Sequence, residues 1–424
     1  MSNFLDKIFL RSRNLDYIRQ NLGNITYRTS ANKIFEAINS YSNNSEVRYV
    51  GGCIRKVIKK EIIDDIDLAT NLNPTEVCEA LKKKKINFYE TGIEHGTITA
   101  VIDEKKYEIT SLRKDIKSDG RHAEVEFSTD WREDSLRRDF TINSIYSDRD
   151  GNLFDPHNGK KDIEDGIINF IGDAELRIKE DYLRILRYVR FYINYSKKKH
   201  NSKVIRVIKK NIGGISKLSS ERLLDELKKL IKSENFLKLF DDEDSLELIK
   251  IIFPQLKKLD RFLKLNSYAL KKFKEVDIIF VLSLMIIDGT DNTDYFFYKF
   301  NISKKDQKRI KLIDCFYKEK FNIKDFNEKS FNKIFYYDGK QAVIDIINFK
   351  LFNSSKYEKN LIKLLDIYKN KEIQNMPLKA NDLMTRFKIP QGKSLGNKLK
   401  KLEETWVQNG FMINEKQIKK IVKS

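Results

Sequence analysis

The hydrophobic period of the 424-residue chain changes near residue 130, and that change constrains the fold more than any other feature. Upstream, short runs suited to strands alternate with turns: VRYVGG at 47–52, IIDDIDLA at 62–69, INFYE at 86–90, GTITAVI at 96–102 and KYEITSL at 106–112. Two helices interrupt them. Residues 31–41 place Ile34, Phe35, Ile38 and Tyr41 at helical spacing, and Asn73 with Pro74 opens a second helix reaching about Lys84. Downstream, WREDSLRRDFTINSI at 131–145 reads as helix and LFDPHNGKKD as a turn, and beyond residue 174 nearly every segment carries the 3.6-residue period. The order predicts an α+β chain, a β-rich head followed by an all-helical remainder. Only 5 Pro and 17 Gly are available to interrupt those helices, and no repeat of 34 or 40 residues is visible.

Composition narrows the class. A hydrophobic share of 40% supplies enough apolar material for real cores and excludes wholesale disorder. Lys and Arg number 82 against 62 Asp and Glu, a balance of +20 that points toward polyanions, although an AT-rich genome also yields lysine-heavy chains. Cys53, Cys78 and Cys315 are too few and too scattered for a disulfide framework or a Cys-rich zinc site. No apolar run approaches the roughly 20 residues of a membrane helix. The opening MSNFLDKIFLRSRN has no secretion pattern, so a soluble, cytoplasmic protein is expected.

The chemistry concentrates in the head. Asp65 and Asp67 stand two apart in a predicted strand, and alternation puts them on one face. Two such carboxylates repel unless a cation lies between them, and oxygen-only ligands suit Mg²⁺, which usually also takes substrate phosphate oxygens. A single D-x-D is also what a solvated turn or a salt-bridged strand end produces. Glu108 is a third acid on another strand, between Tyr107 and Ile109. Upstream, Gly51 and Gly52 end a strand and Arg55 sits on the first turn of the next helix, an arrangement that admits phosphate to backbone N–H groups and adds a cationic fork. Together these are the parts of metal-assisted nucleotidyl transfer.

At this point the residues resemble a known family, the class II tRNA nucleotidyltransferases (CCA-adding enzymes) and the related bacterial poly(A) polymerases. The likeness spans roughly residues 45–230 and runs in order through GGCIR, DIDLAT, YEITSLR, the loop and signature DGRHAEVEFSTDWREDSLRRDFTINSI, LFDPHNGKKDIEDGIINFIGD, EDYLRILRYVRF and SSERLLDEL. The C-terminal NDLMTRFKIPQGKSLGNKLKKLEETW resembles a tail segment of the same family. The resemblance implies a polymerase-β-like nucleotidyltransferase head followed by an all-helical neck, body and tail. The divisions are an N-terminal extension at 1–30, a catalytic head at 31–155, a nucleotide-selecting neck at 156–235, a body at 236–375 and a basic, RNA-binding tail at 376–424.

The resemblance also implies residue roles. Asp65 and Asp67 hold Mg²⁺, with Glu108 completing the catalytic carboxylates. Gly51, Gly52 and Arg55 hold the triphosphate. Arg138 and Asp139 lie against the nucleotide, Asp139 at the ribose hydroxyl, with Asn143 in support. In the neck, Asp181, Arg184, Arg187 and Arg190 recur every three residues and predict one helical stripe. Read blandly, the stripe is an ion-pair network; three like charges on one face, however, call for an anion, and the family reading makes Asp181 and Arg184 the pair that reads the base. The implied activity is addition of CCA, or its completion, to tRNA from CTP and ATP. Poly(A) synthesis, A-only addition and a non-catalytic RNA-binding relative stand as alternatives. No protein partner and no membrane are inferred.

The chain departs from the family at Lys56, where aspartate is usual, at Ser144, where alanine is usual, and in the run KVIKKEIIDD. His95, His122 and His157 lie beside turn signals and read as loop residues, His200 as solvated in a Lys-rich loop, and Lys82 to Lys85 as a helix end. Phe296, Phe297, Tyr298 and Phe300 read as packing residues.

Overall fold

The computed structural model describes residues 16–63, 65–118, 123–319, 327–355, 358–372 and 374–423. Residues 1–15 of the expected N-terminal extension, Asp64 and the His122 end of the 115–127 loop lie outside the described residues. The chain divides into two compact units, Met1–Leu248 and Ile249–Ser424, so the division falls inside the segment read as body.

The first unit begins with α1 (residues 16–28) and α2 (Ala31–Asn39). There follow β1 (Val47–Val50), α3 (Gly52–Lys59), β2 (Asp67–Thr70), α4 (Pro74–Lys83), β3 (Asn87–Gly92), β4 (Thr97–Ile102) and β5 (Lys105–Ser111). The hairpin β6 (Arg113–Ser118) and β7 (Ala123–Phe127) precedes α5 (Trp131–Arg137), β8 (Tyr146–Ser147) and β9 (Leu153–Phe154). Seven strands form one mixed sheet in the order β3-β4-β5-β2-β1-β8-β9, with β6 and β7 paired separately. Local signals explain the elements. Asn73 and Glu76 close a capping box on α4, each side chain bonding the other's backbone N–H, with Pro74 preset for the first turn. Val50, Ala69, Leu112 and Tyr146 make a small core with Trp131 and Phe154, holding β1, β2 and β8 in place.

The helical remainder of this unit comprises α6 (Gly159–Asp165), α7 (Ala174–Glu180), α8 (Leu183–Tyr195), α9 (Ser202–Asn211) and α10 (Ser220–Ile231), with α11 (Glu243–Ile252) carrying the unit boundary. The strand-free described residues of the second unit run from α12 (Ser267–Lys272) to a terminal group of three helices, Ala380–Phe387, Lys393–Gln408 and Glu415–Lys423. That group has its own core of Leu378, Leu383, Ile389, Leu395, Leu402, Ile418 and Ile421.

Five expectations need correction. Strand β2 starts at Asp67, so Asp65 sits in the leading loop rather than on the strand. The helix expected over 131–145 ends at Arg137; the chain then turns through a bridge at Phe140 and a 3₁₀ turn at Thr141–Asn143. The stripe from Asp181 is broken because α7 ends before it: Asp181 is extended, at φ −151° and ψ 106°. His200 is not solvated. Its side chain is 5% exposed, stacked on Tyr192 and bonded to Tyr188 and Asp242. Tyr298 is 87% exposed, whereas Phe296, Phe297 and Phe300 pack inward as expected.

Candidate active site

The edge where β1, β2 and β5 meet gathers the acids. Parallel pairing sets Asp67 of β2 in register with Glu108 of β5, so both side chains leave the same face of the sheet. Asp65 reaches the same place from the loop. A methyl group placed on Gly52 would lie 3.9 Å from both Asp65 Oδ1 and Asp67 Oδ2. Gly51 occupies φ +72° and ψ −119°, a conformation that side-chain-bearing residues rarely adopt. The paired glycines therefore form a bare cradle against the two carboxylates. Burial, then the charges of Asp65 and Glu108, push the Asp67 carboxyl up to about 6, with Arg55 and Arg138 opposing. A cavity of about 680 Å³ opens beside the acids, lined by Asp65, Asp67 and Glu108 with Ile25, Thr29 and Lys105. Glu108 is exposed, unlike the buried acid that its apolar neighbours suggest.

Among the described residues, no three ligating side chains gather around one metal position. The two aspartates nevertheless fit Mg²⁺, which is commonly held by one or two carboxylates completed by water and substrate phosphate. Burial first, then the charges of Asp65 and Glu108, raise the Asp67 carboxyl, and a cation relieves the part due to those charges.

From the cradle a chain of polar contacts runs into the helices. Arg55, on α3, donates to Asn143 Oδ1 and lies over the Phe191 ring at 5.0 Å. Asn143 donates to Asp139 Oδ1 at 2.6 Å, and the Phe140 N–H donates to the same oxygen at 2.9 Å. Asp139 Oδ2 is 2.7 Å from Arg187 Nε, an ionic contact without hydrogen-bond alignment. Burial would raise the Asp139 carboxyl, but Arg187, Asn143 and Arg184 outweigh it and hold it down. Arg187 Nε and Asp139 Oδ2 thus satisfy each other by ionic contact, whereas Arg55 Nε is buried without a hydrogen-bond partner, as expected where a ligand completes the network.

Arg138, expected against the nucleotide, also reaches this network, donating to the Asn143 carbonyl at 3.4 Å. It is held by Asp134 at 3.0 Å and donates to the Tyr146 hydroxyl at 2.9 Å, so it braces the loop that carries Asp139. Asp181 pairs with Arg222 at 2.8 Å, not with Arg184. Arg184 pairs with Glu180 at 2.7 Å, and Arg190 pairs with buried Glu226. The three arginines thus each have an acid and are not an unpaired cationic row. Sequence reading overlooked Asp134, Arg177 and Arg222. Asp134 stands three and four residues before Arg137 and Arg138, an ion-pair spacing visible in WREDSLRR. Arg177 donates to the carbonyls of Arg137 and Arg138 at 2.6 and 2.5 Å, a contact across 40 residues that no local pattern announces.

A mixed sheet presenting a glycine cradle and a carboxylate pair, continued by arginine-rich helices, suits chemistry on a phosphate with a divalent metal. Residues 47–169 match the family model described as the poly A polymerase head domain, and residues 201–259 match that of a probable RNA- and SrmB-binding site of polymerase A. The chain is 32% identical over 388 residues to the human mitochondrial CCA tRNA nucleotidyltransferase 1, covering 90% of this chain and 87% of that one. It is 33% identical over 351 residues to the CCA-adding enzyme of Staphylococcus haemolyticus, covering 79% and 81%. Among solved structures, the Bacillus stearothermophilus CCA-adding enzyme in complex with CTP superposes at a TM-score of 0.70, with 20% identity, 92% of this chain and 95% of that chain covered. The chain belongs to the class II CCA-adding enzyme family and is a nucleotidyltransferase. Among the described residues no helix is long and apolar enough to cross a membrane.

Proposed function

We propose that this enzyme adds CCA to tRNA 3′ ends from CTP and ATP without a nucleic-acid template, in a Mg²⁺-dependent reaction. The 3′-hydroxyl oxygen forms a bond to the α-phosphorus, the bond from that phosphorus to its bridging oxygen breaks, and pyrophosphate leaves. Asp65 and Asp67 would hold the metal, which when bound would supply charge neutralisation at the triphosphate and Lewis-acid polarisation at the attacking hydroxyl. The glycine cradle and Arg55 bind phosphate; Glu108, exposed beside Asp67, holds the proton leaving the hydroxyl. Asp139, with Asn143 and Arg187 behind it, receives the ribose, and Asp181 and Arg184 read the base edge. The tail, with 11 basic and 4 acidic residues over 379–424 and so net +7, meets the tRNA backbone through phosphate and shape. The cytoplasm is the expected compartment, set against a human relative designated mitochondrial.

The observation that carries this reading is the unbroken run from the two aspartates through Gly52 and Arg55 to Asn143, Asp139 and Arg187. The test supplies tRNAs ending before CCA, after C and after CC, with CTP, ATP or both. Sequential addition that stops after A is expected. Long A tracts from ATP alone would make the enzyme a poly(A) polymerase, and extension confined to tRNA ending in CC would make it an A-adding enzyme.

A further inference from the structure

Lys56 stands in the first phosphate-binding motif one residue after Arg55, and its ammonium lies 3.1 Å from Asp65 Oδ1. That oxygen is the one facing the Gly52 cradle. Lys56 is only 22% exposed while Asp65 is 65% exposed, so the lysine reaches the carboxylate from within the fold. Asp65 repels Asp67, so a cation at this position lowers the cost of holding the two acids together before any substrate arrives.

We propose that Lys56 is an internal counter-ion that competes with the divalent cation for Asp65 and so sets the metal requirement of the enzyme. The inference rests on the assignment of Asp65 and Asp67 as metal ligands. An ammonium is a compact point charge with three rotatable donors, and it can swing from a carboxylate to a phosphate without leaving the site. The triphosphate brings that alternative partner. Lys56 then leaves Asp65 Oδ1 to the metal, so metal and nucleotide load together, and the nucleotide-free enzyme holds metal weakly.

The test is Mn²⁺ binding to the nucleotide-free full-length protein, read from the electron paramagnetic resonance signal of free Mn²⁺. Lys56→Met should bind Mn²⁺ about three- to five-fold more tightly than the parent, the gain expected from removing one partly exposed ion pair. Lys56→Arg keeps the charge and should bind as weakly as the parent. Asp65→Ala combined with Asp67→Ala should abolish binding. Unchanged or weaker binding by Lys56→Met, with binding still lost in the double aspartate variant, would overturn the role of Lys56 alone. Undiminished binding by the double variant would overturn the metal assignment itself and the proposal with it. Circular dichroism melting of each variant establishes that the compared proteins are folded.

Discussion

The carboxylate of Asp134 is 1% exposed and accepts from three side chains: Arg137 at 2.7 Å, Arg138 at 3.0 Å and the Tyr146 hydroxyl at 2.6 Å. Replacing it with asparagine keeps the shape and removes the charge. Two guanidinium groups then lose their counter-ion inside the fold, and the new amide nitrogen must face a donor. Breaking a buried pair by deleting one partner costs about 3–5 kcal/mol. For a unit of this size each kcal/mol moves the melting temperature by about 2–4 °C, so Asp134→Asn should melt about 6–20 °C below the parent. Calorimetry measures the shift; Tyr146→Phe, which removes a donor to Asp134 and an acceptor from Arg138 but leaves every charge paired, should cost less, about 1.5–3 kcal/mol. The effect depends on pH with a definite sign. Burial would raise the Asp134 carboxyl, but Arg138, Arg137 and Tyr146 hold it well below the usual carboxylate range. Its contribution is therefore fully present above the ordinary carboxylate pKa and is lost progressively as pH falls through the lowered one, so the gap in melting temperature between parent and variant should narrow below about pH 4 and close only below about pH 2. Because Arg138 braces the Asp139 loop, nucleotide incorporation at a permissive temperature should fall as well. A shift under about 2 °C at pH 7, or a gap that does not close in acid, would refute the argument that this ion cluster supports the loop.

The Asp67 carboxyl, raised to about 6, binds its proton more tightly in the folded state than in the unfolded one, so the metal-free protein should lose stability as pH rises from about 4 to about 6. Asp67→Asn should therefore stabilise the metal-free protein at pH 7 by about 1–3 kcal/mol while lowering nucleotide incorporation at least about 10³-fold, measured by melting and by primer extension. Gly51→Ala should cost about 1–2 kcal/mol because of the +72° φ, with weaker nucleotide binding seen by calorimetric titration. Arg222→Ala frees Asp181 from its 2.8 Å pair and should reduce CTP-over-ATP selection about ten-fold in single-turnover assays, with tRNA affinity unchanged.

The legible parts of the site were those written in adjacent residues. The strand of VRYVGG, the capped helix at Asn73 and the strand of Glu108 follow from period and turn chemistry alone, and the head sheet follows from them. The resemblance supplied the roles. What stayed hidden depended on where the chain bends. Helical periodicity carried the reading straight through Asp139 and Asp181, yet Arg177 holds the carbonyls just before Asp139, and Arg222 draws Asp181 away from its helix. A propensity pattern contains no term for such contacts, which join residues about 40 apart. His200 misled for the same reason: its lysine-rich neighbours are exposed, but Tyr188, Tyr192 and Asp242 enclose the ring from other helices.

If Asp181 and Arg184 read the base as proposed, the paired state of the α8 arginines bears on how nucleotide selection operates. A row of free guanidinium groups would bind any triphosphate by charge alone, and charge does not distinguish cytosine from adenine. Here Arg187 already holds Asp139, Arg184 holds Glu180 and Arg190 holds Glu226. A nucleotide gains little from charge at these positions, because each guanidinium it engages must loosen an existing acid. Charge attraction common to CTP and ATP cancels in the difference between them, so one or two bidentate contacts at a base edge, worth about 1–3 kcal/mol each, set the discrimination, and the internal pairs lower the affinity for both. On the proposed reading, bulk attraction falls to other charges of the +20 excess, such as the basic tail, where it would act on the RNA and not on the choice of base.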